Sequence, residues 1–164
     1  MSGAGRVHGL PWLEAAVERG GLLVGVVVAL PAERLAELVE LYGLLDPDLP
    51  RLERAGAERT LNAPGVTVFA ALDPVTQRLA GLVTLVTAPT PARTRAWAED
   101  LVVHPDFRGR GVGEALMAVC AQAAAEAGAE SIDGTVHPSR TAAVSLYRRI
   151  GWEFSPSLAV RRRL

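Results

Sequence analysis

The stretch Glu99-Asp100-Leu101-Val102-Val103-His104-Pro105-Asp106-Phe107-Arg108-Gly109-Arg110-Gly111-Val112-Gly113 decides the fold class. Leu101, Val102 and Val103 read as the end of a buried strand, predicted over residues 96–103. Three glycines and two arginines follow, and a helix is predicted over 111–127. Val112, Leu116, Val119, Cys120, Ala123 and Ala127 line one face of that helix, while Glu114, Gln122 and Glu126 lie off it. Gly128 suits the residue just past its end. A helix start leaves N–H groups unpaired and carries partial positive charge, and glycine lets backbone approach an anion closely. Arg108 and Arg110 add guanidinium forks that suit phosphate. The loop therefore reads as a cradle for phosphate or pyrophosphate.

Working outward, residues 131–136 read as a strand and 140–150 as a short helix stopped by Gly151. Strands are expected at 152–154 and 158–163, around Ser155-Pro156. Upstream, residues 66–72 and 79–87 form a hairpin across Asp73-Pro74 and Thr76-Gln77, and 88–95 is a loop with two prolines. Leu35, Leu38, Val39, Tyr42 and Leu45 recur at helical spacing after Pro31, up to Asp46-Pro47. Residues 48–62 are polar and read as a second helix. Residues 22–29 read as a strand, and 1–20 as an N-terminal extension with a short helix around 12–19. The expected order is β-α-α-β-β-β-α-β-α-β-β, a mixed sheet with helices on both faces.

Composition bounds the partners. The 164 residues carry 17 basic and 18 acidic side chains, for a net charge of −1, and 49% are hydrophobic. One globular domain is expected, over 21–164, and bulk charge does not favour nucleic acid. Every basic residue apart from histidine is arginine, so no lysine can serve as Schiff-base nucleophile, amine base or P-loop ligand. The single cysteine, Cys120, excludes an internal disulfide and a cysteine-based zinc cluster. It fits a reducing, cytoplasmic setting, and no metal site is expected. The apolar run 22–30 has the length of a signal-peptide core, but Glu14 and Glu18 offset Arg6 and Arg19 before it. It is too short to span a bilayer as a helix, so no membrane partner is expected.

The loop is not a dinucleotide fingerprint. From Gly109 the pattern is G-x-G-x-G, and no acidic residue stands where the next strand would need it. Arg108, Gly111 and Gly113 instead fill the Arg/Gln-x-x-Gly-x-Gly/Ala signature, which resembles the acyl-CoA-binding motif of the GNAT superfamily of N-acetyltransferases. The block Arg140-Thr141-Ala142-Ala143-Val144-Ser145-Leu146-Tyr147-Arg148-Arg149-Ile150-Gly151-Trp152 resembles that family's second conserved block, with Trp152 where Phe is usual. Residues from about 64 to 164 match well, and 22–62 match only as a strand plus helices.

The resemblance implies an α/β (α+β) domain with a mostly antiparallel sheet and a V-shaped splay between its two central strands. Backbone amides from Arg108 through Gly109, Arg110, Gly111 and Val112 to Gly113 would hold the pyrophosphate of acetyl-CoA. Leu101, Val102 and Val103 would pair with the pantetheine arm. The Leu101 or Val102 amide would hold the developing oxyanion. Arg140, where many relatives carry Asn, and Ala143 would flank the cofactor. Tyr147 stands at the family's general-acid position, and Glu99 is the candidate base, acting directly or through water. Asp100 would point to the opposite sheet face from Glu99 in a regular strand, and a bulge would break that inference.

His104 reads as structural, and His137 as a candidate pocket-lining residue. His8 has no context, and Cys120 reads as a packing residue. The acceptor is expected between about Tyr42 and Arg59 and beside about 154–158, with Asp46, Asp48 and Glu53 near it. The Arg161-Arg162-Arg163 run reads as an edge deterrent on a last strand. The implied activity is acetyl transfer from acetyl-CoA to the primary amine of a small molecule, directly in a ternary complex. The alternatives are a non-catalytic acyl-CoA-binding sensor or partner module, and a protein N-terminal or lysine acetyltransferase. Homodimers are common in the family.

Overall fold

The computed structural model describes residues 10–45, 52–156 and 162. The expected last strand over 158–163, the helix stop at Asp46-Pro47, and Asp48 and His8 lie wholly or mainly outside these residues.

Among the described residues a six-stranded sheet runs in sequence order, β1 (Leu13–Arg19), β2 (Leu22–Val27), β3 (Val66–Leu72), β4 (Leu79–Pro89), β5 (Thr94–Val103) and β6 (Asp133–Gly134). Neighbours are antiparallel except β5 and β6, which are parallel. Helices α1 (Ala32–Gly43) and α2 (Arg54–Leu61) join β2 to β3. Helix α3 (Val112–Glu126) carries the crossover from β5 to β6, and α4 (Thr141–Arg149) follows.

Strands β3 and β4 are apolar and mostly buried because both their faces are covered. Val83, Leu85 and Phe69 pack on one side with Leu116, Met117 and Cys120 of α3. Val68, Leu72 and Leu82 pack on the other with Leu38 and Leu41 of α1 and Ala57 of α2. Helix α3 sits on the sheet through small residues. A Cβ at Gly81 would lie 2.6 Å from the Val102 carbonyl, 3.2 Å from Val112 and 3.3 Å from Leu116.

Several expectations need correction. The segment expected as a short helix around 12–19 is strand β1, paired along β2. Gly20 and Gly21 both take positive φ, +59° and +77°, which makes a tight turn and returns the chain as a hairpin. The loop at 88–95 shortens to the β4–β5 turn, where Thr90 N–H donates to the Arg93 carbonyl at 2.9 Å. The strand at 131–136 shrinks to Asp133–Gly134, and 152–154 forms no strand among the described residues. Helix α2 begins at Arg54 rather than 48. On α3, Ala124 is buried and Ala127 exposed, because Ala127 already caps the helix.

Candidate active site

The site grows from an irregularity in β5. Thr84 pairs with Glu99 and Leu82 with Val102, so two residues, Asp100 and Leu101, stand opposite one. Asp100 absorbs the extra length with φ of +56°, a left-handed conformation that Asp tolerates better than most residues. The regular alternation that would turn Asp100 away from Glu99 is therefore broken. Glu99 shares the sheet side of its partner Thr84, next to Leu82, which faces α1 and α2. Asp100 lines a cavity on that same side.

Of the two carboxyls, Glu99 responds to its neighbour. Burial pushes the half-buried Glu99 carboxyl above its ordinary range, and the neighbouring Asp100 charge adds to that. Desolvation also raises Asp100. Tyr42 on α1 is raised by burial first, an effect that the nearby Thr84 hydroxyl opposes and the Asp100 charge strengthens.

Beyond the bulge, β5 has an open edge among the described residues. Pairing with β6 is confined to Trp97 with Asp133 and Ala98 with Gly134, so residues 99–103 run on with no described neighbour there. This is the splay. The His104 amide donates to the Ala80 carbonyl at 2.9 Å, and Val102 lies opposite Leu82 on the β4 side. Alternation turns the backbone of Val103 toward the open side. Its carbonyl accepts Arg108 Nε at 3.3 Å. Leu101 and Val103 are half-buried, and Val102 is buried.

The loop after β5 is tightly built. His104 Nδ1 accepts the Asp106 amide at 3.2 Å, so the ring caps the turn Pro105–Phe107. Its Nε2 lies 3.1 Å from Glu40 Oε1, which fits a structural histidine. Gly111 takes φ of +78° immediately before α3, and no side chain caps the helix. The first helical bond is Ala115 N–H to the Gly111 carbonyl at 2.9 Å, so the amides of Val112, Gly113 and Glu114 have no acceptor within the helix. Gly113 serves packing, since a Cβ there would lie 2.8 Å from Leu146 of α4.

The arginines do not share one role. Among the described residues the Nη atoms of Arg108 make no hydrogen bond. Arg110 turns away, 3.4 Å from Asp73 Oδ2 and 5.1 Å over the Phe107 ring. Asp73 also accepts the Val75 amide at 2.9 Å. That backbone bond is the first reason its carboxyl sits below the ordinary range. Arg140, just before α4, donates to the Leu45 carbonyl at the end of α1, and Ala143 is half-buried in the first turn of α4.

Tyr147 is 8% exposed and packs against Trp152 with ring centroids 5.1 Å apart. Its hydroxyl lies beside Gly134, 3.9 Å from where a Cβ would stand, at the place where β6 ends its pairing with β5. That hydroxyl makes no hydrogen bond among the described residues. Burial chiefly, then the charges of Cys120 and Glu99, raise its pKa, so it holds its proton at neutral pH. Cys120 is fully buried and its thiol is pushed up to about 12, which suits packing and not nucleophilic attack. His137 bonds only within its own turn, to Ser139 Oγ at 2.7 Å.

The structure thus brings Glu99 and Tyr147 within electrostatic reach of each other, and adds Asp100 and Tyr42 on the α1 side. Sequence reasoning named the bulge as a condition but gave Asp100 no role. The signal available was two adjacent acids beside an apolar strand end. A cavity of about 230 Å³ lies between α1, α2 and the sheet, with Tyr42, Leu52, Thr60, Leu61 and Asp100 on its wall. Of the acids expected near an acceptor, Glu53 lies at the start of α2 and Asp46 and Asp48 lie outside the described residues.

Among the described residues, no helix is long and apolar enough to cross a membrane. Solved structures share the architecture. A Trypanosoma brucei acetyltransferase matches with a TM-score of 0.70 at 24% identity, over 87% of this chain and 99% of that one. An aminoglycoside N-acetyltransferase in complex with CoA matches with a TM-score of 0.72 at 19% identity, over 87% and 94%. A ribosomal-protein-alanine N-acetyltransferase from Brucella melitensis biovar Abortus matches with a TM-score of 0.69 at 21% identity, over 87% and 99%. Identities this low establish a common fold. The family model described as "Acetyltransferase (GNAT) family" matches residues 32–152, which include the loop, the bulge and Tyr147. The chain belongs to the GNAT acetyltransferase family.

Proposed function

We propose that this chain transfers an acetyl group from acetyl-CoA to the primary amine of a small molecule, directly within a ternary complex. The observation that carries this reading is the opening between β5 and β6. On it converge a Tyr147 hydroxyl with no hydrogen-bond partner and a strand edge with no neighbouring strand, both among the described residues, and a raised Glu99 carboxyl.

The chain's own groups divide the work. The amides of Val112 to Glu114, which have no acceptor within the helix, with the Nη atoms of Arg108, which make no hydrogen bond among the described residues, make an anion site that suits a pyrophosphate. The open backbone edge of β5 offers hydrogen bonds to an extended arm. Leu101 is favoured over Val102 as the oxyanion donor, because Val102 faces β4. When bound, acetyl-CoA supplies a thioester whose carbon–sulfur bond breaks as the amine nitrogen bonds its acyl carbon. Glu99, directly or through water, takes the proton that frees the amine from its ammonium form. The second amine proton leaves to solvent after attack. The Tyr147 hydroxyl gives its proton to the departing sulfur, as a phenol held protonated by burial is suited to do.

The test is thiol release from acetyl-CoA by the purified chain across a panel of amines, with products read by mass. An acetylated amine matched by free thiol supports the reading. Tight CoA binding with no acyl transfer to any amine overturns it in favour of a non-catalytic module. Arg108→Ala is expected to weaken CoA binding by about tenfold, the scale of one charge-assisted contact, with no change in amine preference.

The pH dependence carries a sign. Glu99 must be deprotonated to accept a proton, so kcat/KM falls as pH drops through its raised pKa. Asp100 contributes to that rise. Asp100→Asn removes a charge, so the acidic limb of the profile is expected to move to lower pH. An unmoved limb would separate Glu99 from the base role or from Asp100.

A further inference from the structure

The cavity between α1, α2 and the sheet runs from a charged mouth to an apolar floor. Asp100 is exposed at one end. Val27, Leu30, Leu38, Ala57 and Val68 line the cavity with side chains buried to 7% exposure or less, and Tyr42, Leu52, Thr60 and Leu61 complete the wall, with hydroxyls only at Tyr42 and Thr60 among the described residues. Its volume is about 230 Å³. A dry cavity of about 150 Å³ holds a benzene ring, and drug-sized ligands need roughly 300–1,000 Å³. The space therefore suits one ring or branched chain plus a short arm.

Its chemistry is selective in the same direction. Among the described residues, Asp100 is the one carboxylate on its wall, and no histidine, arginine, asparagine or glutamine lines it. A ligand with several cations and hydroxyls would leave those groups unpaired against leucine and valine, which costs far more than an apolar body there. An ammonium on an apolar body meets both ends of the cavity, the charge at Asp100 and the body on the floor. Asp100 holds that end in place by adopting the left-handed backbone that the bulge demands. It also sits one residue from Glu99, so an ammonium there lies next to the proposed base.

We propose that this cavity is the acceptor site and that it takes a primary amine carried on a single compact apolar group, an arylalkylamine or a short branched alkylamine. Asp100 receives the ammonium. This rests on the acetyltransferase reading above and adds the acceptor class to it.

The test compares 2-phenylethylamine and isopentylamine with spermidine and kanamycin, using acetyl-CoA and the full chain. The expected result is a kcat/KM at least about tenfold higher for the two apolar amines, the scale of a few buried methylenes. Preference for spermidine or kanamycin overturns the acceptor class and leaves acetyl transfer intact. Two variants locate the site. Ala57→Phe, which fills the floor, is expected to raise KM for 2-phenylethylamine by about tenfold or more while KM for acetyl-CoA holds. Should that variant fail to fold, Asp100→Asn leaves the apolar floor untouched. It is expected to weaken 2-phenylethylamine about tenfold to hundredfold and to leave the neutral analogue 2-phenylethanol unchanged. Equal loss for both ligands, or for neither, overturns the assignment of Asp100. If no amine is acetylated, the acetyltransferase reading fails. Calorimetry of 2-phenylethylamine on wild type and Asp100→Asn then decides the cavity alone: binding weakened by the variant supports it, and absent binding overturns it.

Discussion

Replacing Tyr147 with Phe is expected to lower kcat by about a hundredfold, the lower end for loss of a general acid. Affinity for CoA should stay within about twofold, since only an oxygen is removed. The ring keeps its packing against Trp152, and no hydrogen bond among the described residues is broken. That makes the substitution a clean probe. A tyrosine present for packing alone would lose nothing. The measurement is kcat at saturating acetyl-CoA beside calorimetric CoA affinity. Wild-type turnover in the variant would remove Tyr147 from proton transfer. A further signature separates the acid role: the defect should shrink with an acyl donor whose thiol is more acidic, since such a leaving group needs less help.

The second large effect falls on stability. Gly81→Val is expected to destabilise the fold by more than about 3 kcal/mol, the upper range for overpacking a tight interior. A Cβ there would stand 2.6 Å from a backbone carbonyl, that of Val102, which cannot swing aside like a side-chain tip. The extra methyls would also press on Val112 and Leu116, whose contacts seat α3 on the sheet. The start of α3 carries the proposed anion loop, so CoA affinity should fall together with the thermal midpoint. Denaturant unfolding and CoA titration check both. A variant with wild-type stability would mean that β4 and β5 separate more easily than their pairing indicates.

A smaller effect tests the bulge. Asp100→Gly removes a side chain from a left-handed position and is expected to stabilise the fold by up to about 1 kcal/mol while reducing turnover. Stability and activity would then move in opposite directions, as they do where strain serves a site.

Much of the fold was legible because the pattern is local. The β3–β4 hairpin, α1, α3 and α4 follow from alternation, helical spacing and glycine stops. Strand β1 was missed because its apolar residues are sparse and a bulge between Glu14 and Val17 breaks their period, while Gly20-Gly21 alone marked the hairpin. The shortened β6 was missed for a different reason. Residues 131–136 have strand composition, but a strand persists only where a neighbour supplies hydrogen bonds, and the splay withdraws β5 after Ala98.

The sequence by itself determined the family and pointed to the proposed anion loop and the two proton-moving candidates, since residue identities at fixed local spacing are enough to define helix starts, glycine turns and motif positions. The tertiary structure alone decided what the acids and arginines face. It turned Arg110 to Asp73 and tied Arg108 to the Val103 carbonyl through Nε alone among the described residues. It set Asp100 at the mouth of an apolar cavity whose walls come from β2, α1, α2 and β3. Those partners lie tens of residues apart, and one extra residue in a strand reverses the side to which a carboxylate points. The facing of such a group belongs to the register of the sheet, which emerges only when the strands pair.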